Sequence, residues 1–202
     1  MPSIITHAAV PLALWCAADR GRIRPRLLVA GVIAAMLPDA DVLAFALHIP
    51  YADAFGHRGA SHSLLFACVL AAVAAVLAFL GSRRPWSAVS CQPRLAPTRA
   101  RPTVASTVQA AVFVFVCAAS HPLLDAMTSG GLGVALAWPW SEHRFFAPWR
   151  PIRVSPFAPQ FFSARGLATL LSELRWVWLP LATAVVAWKL IQPAPAAPRD
   201  PS

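Results

Sequence analysis

Ser63 to Leu80 reads SLLFACVLAAVAAVLAFL, an unbroken apolar run close to the length needed to cross the hydrocarbon core of a bilayer. A backbone in that environment must satisfy its own hydrogen bonds, and the Ala, Leu and Val content favours a helix over an alternating barrel strand. Four further apolar runs lie to either side: Ile4 to Ala18, Leu27 to Ile49, Val104 to about Asp125, and Trp176 to Ile191. The expected fold is therefore all-α, a polytopic transmembrane bundle of about five membrane helices. The first run is short and the second is interrupted by Pro38 and two aspartates, so a re-entrant or partly shielded path is open to both.

Composition supports the bilayer. Of 202 residues, 58% are apolar and only 12% charged, too hydrophobic for an ordinary soluble domain of this size. One membrane-embedded domain is expected over 1–191, followed by a Pro/Ala-rich tail, 192–202, expected to be disordered. Within the domain, the stretch from about 128 to 170 is rich in Gly, Pro, Trp and Phe. That suits a surface loop or lid with its aromatics at headgroup level. The first run has no basic region before its apolar core and carries His7 inside it, so it reads as retained rather than as a cleaved signal.

The formal charge of +9 does not point to nucleic acid. Its Arg residues are grouped between apolar runs and lack the aromatic interleaving of a stacking groove. Arg20, Arg22, Arg24 and Arg26 mark the first connection, and Arg83, Arg84, Arg94, Arg99 and Arg101 the third, a flexible loop by composition. The positive-inside rule makes both cytoplasmic. The amino terminus, residues 50–62 and the stretch after Asp125 then fall on the outer, non-cytoplasmic face of the cell (inner or plasma) membrane, against the pull of Arg144, Arg150, Arg153, Arg165 and Arg175. The four cysteines show no paired spacing and are read as small hydrophobes.

The histidine and acidic side chains ahead of the tail are few: His7, Asp19, Asp39, Asp41, His48, Asp53, His57, His62, His121, Asp125, Glu142, His143 and Glu173. Most fall in four short motifs, Thr6-His7, Pro38-Asp39-Ala40-Asp41, His57-Arg58-Gly59-Ala60-Ser61-His62-Ser63, and His121-Pro122-Leu123-Leu124-Asp125. Residues four apart share a helix face, so His121 and Asp125 can aim an imidazole and a carboxylate at one point. Asp39 and Asp41 diverge on a straight helix, but a break at Pro38 lets both reach one cavity. Carboxylates inside an apolar run persist where something compensates them, most often a cation or a water-lined site. His57 and His62 flank a turn before the third helix, with Ser61 or Ser63 available to cap it. Arg58 between them suits a phosphate or a carboxylate. In the expected topology all four motifs lie toward one membrane face. Imidazole with carboxylate suits zinc, and also manganese or iron, better than calcium or magnesium.

On these motifs, with Thr128, Gly130 and Trp138-Pro139 after them, residues 1 to about 160 resemble the YdjM family of membrane-bound metal-dependent hydrolases. That family is distantly similar to zinc-dependent phospholipase C and P1 nuclease. The resemblance implies a helical fold and a multinuclear zinc site acting on phosphodiesters. It makes His7, Asp39, His57, His62, His121 and Asp125 metal ligands, and Asp41 a ligand or a support for one. Ser61 stands where the block usually has Thr, and Val42 follows Asp41 where a polar residue is common.

The function expected is hydrolysis of a lipid-like phosphoester by a metal-activated water at the non-cytoplasmic face, with two or three divalent ions as the upper count. Asp41 would accept a proton and Arg58 would stabilise developing negative charge. Two other classes compete. A metal or small-solute transporter needs polar residues through the full depth of the bundle, whereas the inner halves of the third and fourth runs are nearly all apolar. A non-catalytic membrane partner protein with a structural ion needs a closed, fully ligated site. The bilayer is the expected partner, no nucleic acid is expected, and the sequence leaves the oligomeric state open.

Overall fold

The coordinates are a computed structural model and describe residues 1–19, 21–83, 104–156 and 160–192. Among these, four helices are long and apolar enough to cross a membrane: α2 (Pro25–Ala46), α3 (Leu64–Arg83), α4 (Val104–Ala126) and α5 (Ala164–Ile191). The first run forms a shorter apolar helix, α1 (Ile4–Ala17). No strand occurs among the described residues, and two isolated bridges, Thr128 with Ile152 and Val134 with Phe145, tie the loop between α4 and α5. The expected flexible third connection and disordered tail lie outside the described residues.

Small side chains let the helices approach closely. Ala34, Ala35, Ala67, Phe113, Val114, Cys117, Ala118 and Ala119 form the buried centre where α2, α3 and α4 meet, the packing that serves helices in lipid. Gly31 is required there, because a Cβ at that position would fall 2.4 Å from Phe113 Cε1. Outside, Val69, Val73, Val76, Leu77 and Leu80 of α3 and Val108, Val112 and Val116 of α4 are exposed. Such a surface is at home in hydrocarbon rather than water.

Pro38 breaks the second run as its position suggests. The α-helix stops at Met36, a 3-10 turn covers Leu37–Val42, and one further turn closes at Ala46. Ser63 caps α3, its Oγ accepting from Phe66 N at 3.1 Å. The loop expected over about 128–170 ends earlier. Ser163 accepts from Arg165 N and starts a helix over Ala164–Glu173, which a π-helical turn, Leu174–Trp178, joins to Leu179–Ile191. This entry helix mixes Arg, Thr and Glu with Leu, so a search for unbroken apolar runs passes over it.

The two ends of the bundle differ. At one end Lys189 Nζ donates to Ala18 O at 3.1 Å and Gln109 Nε2 to Arg22 O at 2.8 Å. At the other, the loop after α4 folds over the helix ends: Leu64 N donates to Leu136 O, Ala135 N to Arg58 O, and Ala147 N to Ala126 O. The His and Asp motifs lie beneath that loop.

Candidate metal centre

Each ligand-type side chain reaches the centre for a local reason. His121 and Asp125 come from one face of α4, and Pro122 between them cannot donate to the carbonyl four residues back. His62 ends a 3-10 turn, Ala60–His62, just before α3. Asp39 comes from the 3-10 turn of α2 and His7 from the opening turn of α1. One donor atom from each of Asp39, His62, His121 and Asp125 lies within 4.8 Å of all the others.

The separations define the cluster more closely. His62 Nε2 is 3.0 Å from His121 Nε2 and 3.2 Å from Asp125 Oδ2. Asp39 Oδ1 is 3.4 Å from His121 Nε2 and 3.9 Å from His62 Nε2. His7 Nε2 lies 3.7 Å from both Asp39 Oδ2 and Asp125 Oδ1, and its ring stacks on His121 with centroids 3.7 Å apart. Ligands bound at 2.0–2.1 Å in a tetrahedron stand about 3.3 Å from one another, so these spacings suit shared cations. Both ring nitrogens of His7 and both oxygens of Asp39 and of Asp125 are buried without a hydrogen-bond partner. Buried polar groups are otherwise almost always paired. The donor set and its unsatisfied atoms fit a divalent metal.

A second layer orients the imidazoles. His121 Nδ1 lies 2.7 Å from Ala35 O, which places its proton there and turns the Nε2 lone pair to the centre. His62 Nδ1 sits 3.1 Å from Asp41 Oδ2. Burial lowers the His62 pKa, but the Asp125 and Asp41 carboxylates outweigh it and raise it to about 9. Asp41 also takes His57 Nδ1 at 2.5 Å, Arg58 N at 2.9 Å and Ser61 Oγ at 2.7 Å. Carboxylate-to-imidazole contacts of this kind fix the tautomer and orientation of metal-binding histidines.

The family model described as YdjM inner membrane protein matches residues 1–196. The chain belongs to the YdjM family. A relative, inner membrane protein YbcI of Escherichia coli (strain K12), is 45% identical over 181 residues, covering 89% of this chain and 92% of its own length. No solved structure matches the chain, so the likeness to the phospholipase C and P1 nuclease fold rests on the motifs alone.

Of the six residues read as ligands, this YdjM protein brings five together: His7, Asp39, His62, His121 and Asp125. His57 is not among them. It lies across Asp41 from the centre, edge-on to Tyr51 and His62, and its Nδ1 faces Asp41 rather than the cluster. Arg58, expected to stabilise developing negative charge, lies against the centre. Its side chain is fully buried, with Nη1 donating to Gly130 O and Nη2 to Thr128 Oγ1, each at 3.0 Å. Its Nε stands 3.1 Å from Asp125 Oδ2, a charge contact too poorly aligned for a hydrogen bond. The guanidinium therefore braces Asp125. Burial pulls its pKa below the ordinary value, against the pull of Asp125. Gly131 makes room for it at φ +91°, where a Cβ would meet Arg58 Nη1 at 2.6 Å.

Sequence reading assigned no role to Arg144, which looked like a topology signal. Its Nη1 donates to His57 O and its Nη2 to Tyr51 O and Asp53 O, holding the segment before the His-Arg block. No spacing in the chain announces that contact. His48, Asp53, Glu142 and His143 are exposed and take no part in the centre.

Proposed function

We propose that this protein is a membrane-bound metal-dependent hydrolase that cleaves a lipid-like phosphoester. The observation that carries this reading is the convergence of three imidazoles and two carboxylates, from four separate segments, with buried donor atoms left unpaired. A divalent ion held by His7, Asp39, His62, His121 and Asp125, zinc first with manganese or iron as variants, supplies Lewis acidity and lowers the pKa of a coordinated water. Asp41 differs from Asp39 and Asp125 in keeping some solvent access, its side chain 8% exposed against 0–1%. With His57 on its other oxygen, it is our candidate for the proton acceptor. Exposed Trp140, Trp149 and Phe146 on the covering loop suit headgroup depth, which favours a lipid-like substrate. The Arg-rich first connection lies at the opposite end, which supports a site on the non-cytoplasmic side.

The experiment is metal analysis of purified wild type, His62→Ala and Asp125→Ala, followed by turnover on phospholipids and phosphodiesters with and without chelator. Bound metal in wild type only, with chelator-sensitive product release, is expected. Equal metal in all three proteins overturns the centre. Metal without turnover on any substrate selects a structural ion, a reading favoured by one observation: His7, His62, His121 and Asp125 are all sealed from solvent. The transport alternative lacks such support: Ala34, Ala35, Ala67, Phe113, Val114, Cys117 and Ala118 pack into an apolar core where α2, α3 and α4 meet. Labelling an Asp53→Cys variant with a membrane-impermeant thiol reagent tests the orientation.

A further inference from the structure

Of the buried carboxylates among the described residues, Asp39, Asp125 and Glu173, only Glu173 stands outside the metal centre. It ends the entry helix of α5, yet its partners are at the amino terminus. Glu173 Oε1 accepts from Ser3 N, and Oε2 accepts from Ser3 Oγ at 2.6 Å and Thr6 Oγ1 at 2.8 Å. Trp178, one turn further along α5, donates its Nε1 to Thr6 Oγ1 at 3.1 Å. Ser3 is the residue preceding the first turn of α1, and no side chain of α1 itself caps that turn. A carboxylate at that position also complements the positive end of the helix.

The next residue after Thr6 is His7. His121 is oriented by Ala35 O and His62 by Asp41, but neither nitrogen of His7 has a hydrogen-bond partner. Metal-binding histidines almost always have their second nitrogen anchored. Beyond its stack on His121, the placement of His7 therefore rests on its main chain, and the side-chain hydrogen bonds of the preceding residues Ser3 and Thr6 run to Glu173 and Trp178.

We propose that Glu173 is a positioning residue for His7: through Ser3 and Thr6 it ties the opening turn of α1 to α5 and so sets the fifth donor of the centre. This deepens the metal-centre reading and rests on it. The test uses the full chain in lipid nanodiscs, stripped of metal and titrated with Zn²⁺ against a chromophoric chelator. Glu173→Ala is expected to weaken zinc binding about ten- to a hundredfold, the range for lost outer support. In the double variant with His7→Ala the loss is expected to be no greater than for His7→Ala alone, since coupled residues are non-additive. Unchanged affinity, or losses that add, overturns the proposal. Thr6→Val, which keeps the shape and removes the hydroxyl, carries the same comparison where Glu173→Ala fails to fold. Hydrogen exchange over residues 1–8 gives a readout free of metal. Faster exchange there in Glu173→Ala, with α3 and α4 unchanged, is expected, and unaltered protection sinks the tie. Wild type that takes up no zinc ends the metal-centre reading and with it the role in positioning a ligand, while the exchange result still decides whether the tie exists.

Discussion

The buried carboxylates of this bundle live in two opposite settings. Glu173 has hydrogen-bond donors on both oxygens, all from Ser3 and Thr6. Asp39 and Asp125, under the loop after α4, have none, although three imidazoles stand within 4 Å of one or the other. An unsatisfied buried polar group costs about 1–3 kcal/mol, and a charge more. The first setting is complete with protein atoms alone, while the second leaves its carboxylate oxygens without a hydrogen-bond donor. Arg58 offers one charge to Asp125 and spends its other donors on Gly130 and Thr128. On the proposed reading, what separates a structural acid from a metal-binding one here is the count of donors aimed at it, not its burial.

The largest effect that could break the comparison is expected of Asp125→Ala. It removes a donor and leaves the buried Arg58 guanidinium without its counter-charge, a loss of about 3–5 kcal/mol for a broken buried pair. Metal analysis should find the centre empty, and thermal unfolding should shift strongly downward. A variant that keeps both metal and stability would falsify the contrast. Asp39→Asn sharpens it: with no Arg or Lys paired with it among the described residues, Asp39 should matter most when metal is bound. The substitution is expected to lower the unfolding midpoint of the metal-loaded protein and leave the metal-stripped protein unchanged or more stable. Equal destabilisation of both forms would make Asp39 a structural acid like Glu173.

Much of this arrangement was legible in residue spacing. The apolar runs marked the helices because hydrocarbon permits little else, Pro38 marked the break in α2, and the four-residue interval brought His121 and Asp125 to one face. Three features were not legible. The 3-10 turn sends Asp39 and Asp41 in different directions, and His62 enters between them, so the two aspartates act on opposite sides of one ring. Arg58 faces inward because Thr128 and Gly130, seventy and more residues later, supply its acceptors. Glu173 meets Ser3 across 170 positions. Pairings of that kind are made by tertiary packing, and no local periodicity encodes them.

Asp41 and His57 supply the smaller effects. Asp41→Asn is expected to weaken zinc binding about ten- to a hundredfold while the protein still folds, because it frees His62 without removing a donor. His57 stands one step further out, with its Nδ1 on Asp41 and its ring edge-on to His62. If it supports Asp41, His57→Ala weakens zinc by less than about tenfold, and adds little when Asp41→Asn is already present, since the two act along one chain of contacts. If instead it were a ligand, as the motif resemblance implies, its removal would cost as much as that of His62 and would add in full to Asp41→Asn. The two outcomes differ in additivity as well as size, so a chelator titration of the two single variants and the double variant places the boundary of the centre at Asp41 or beyond it.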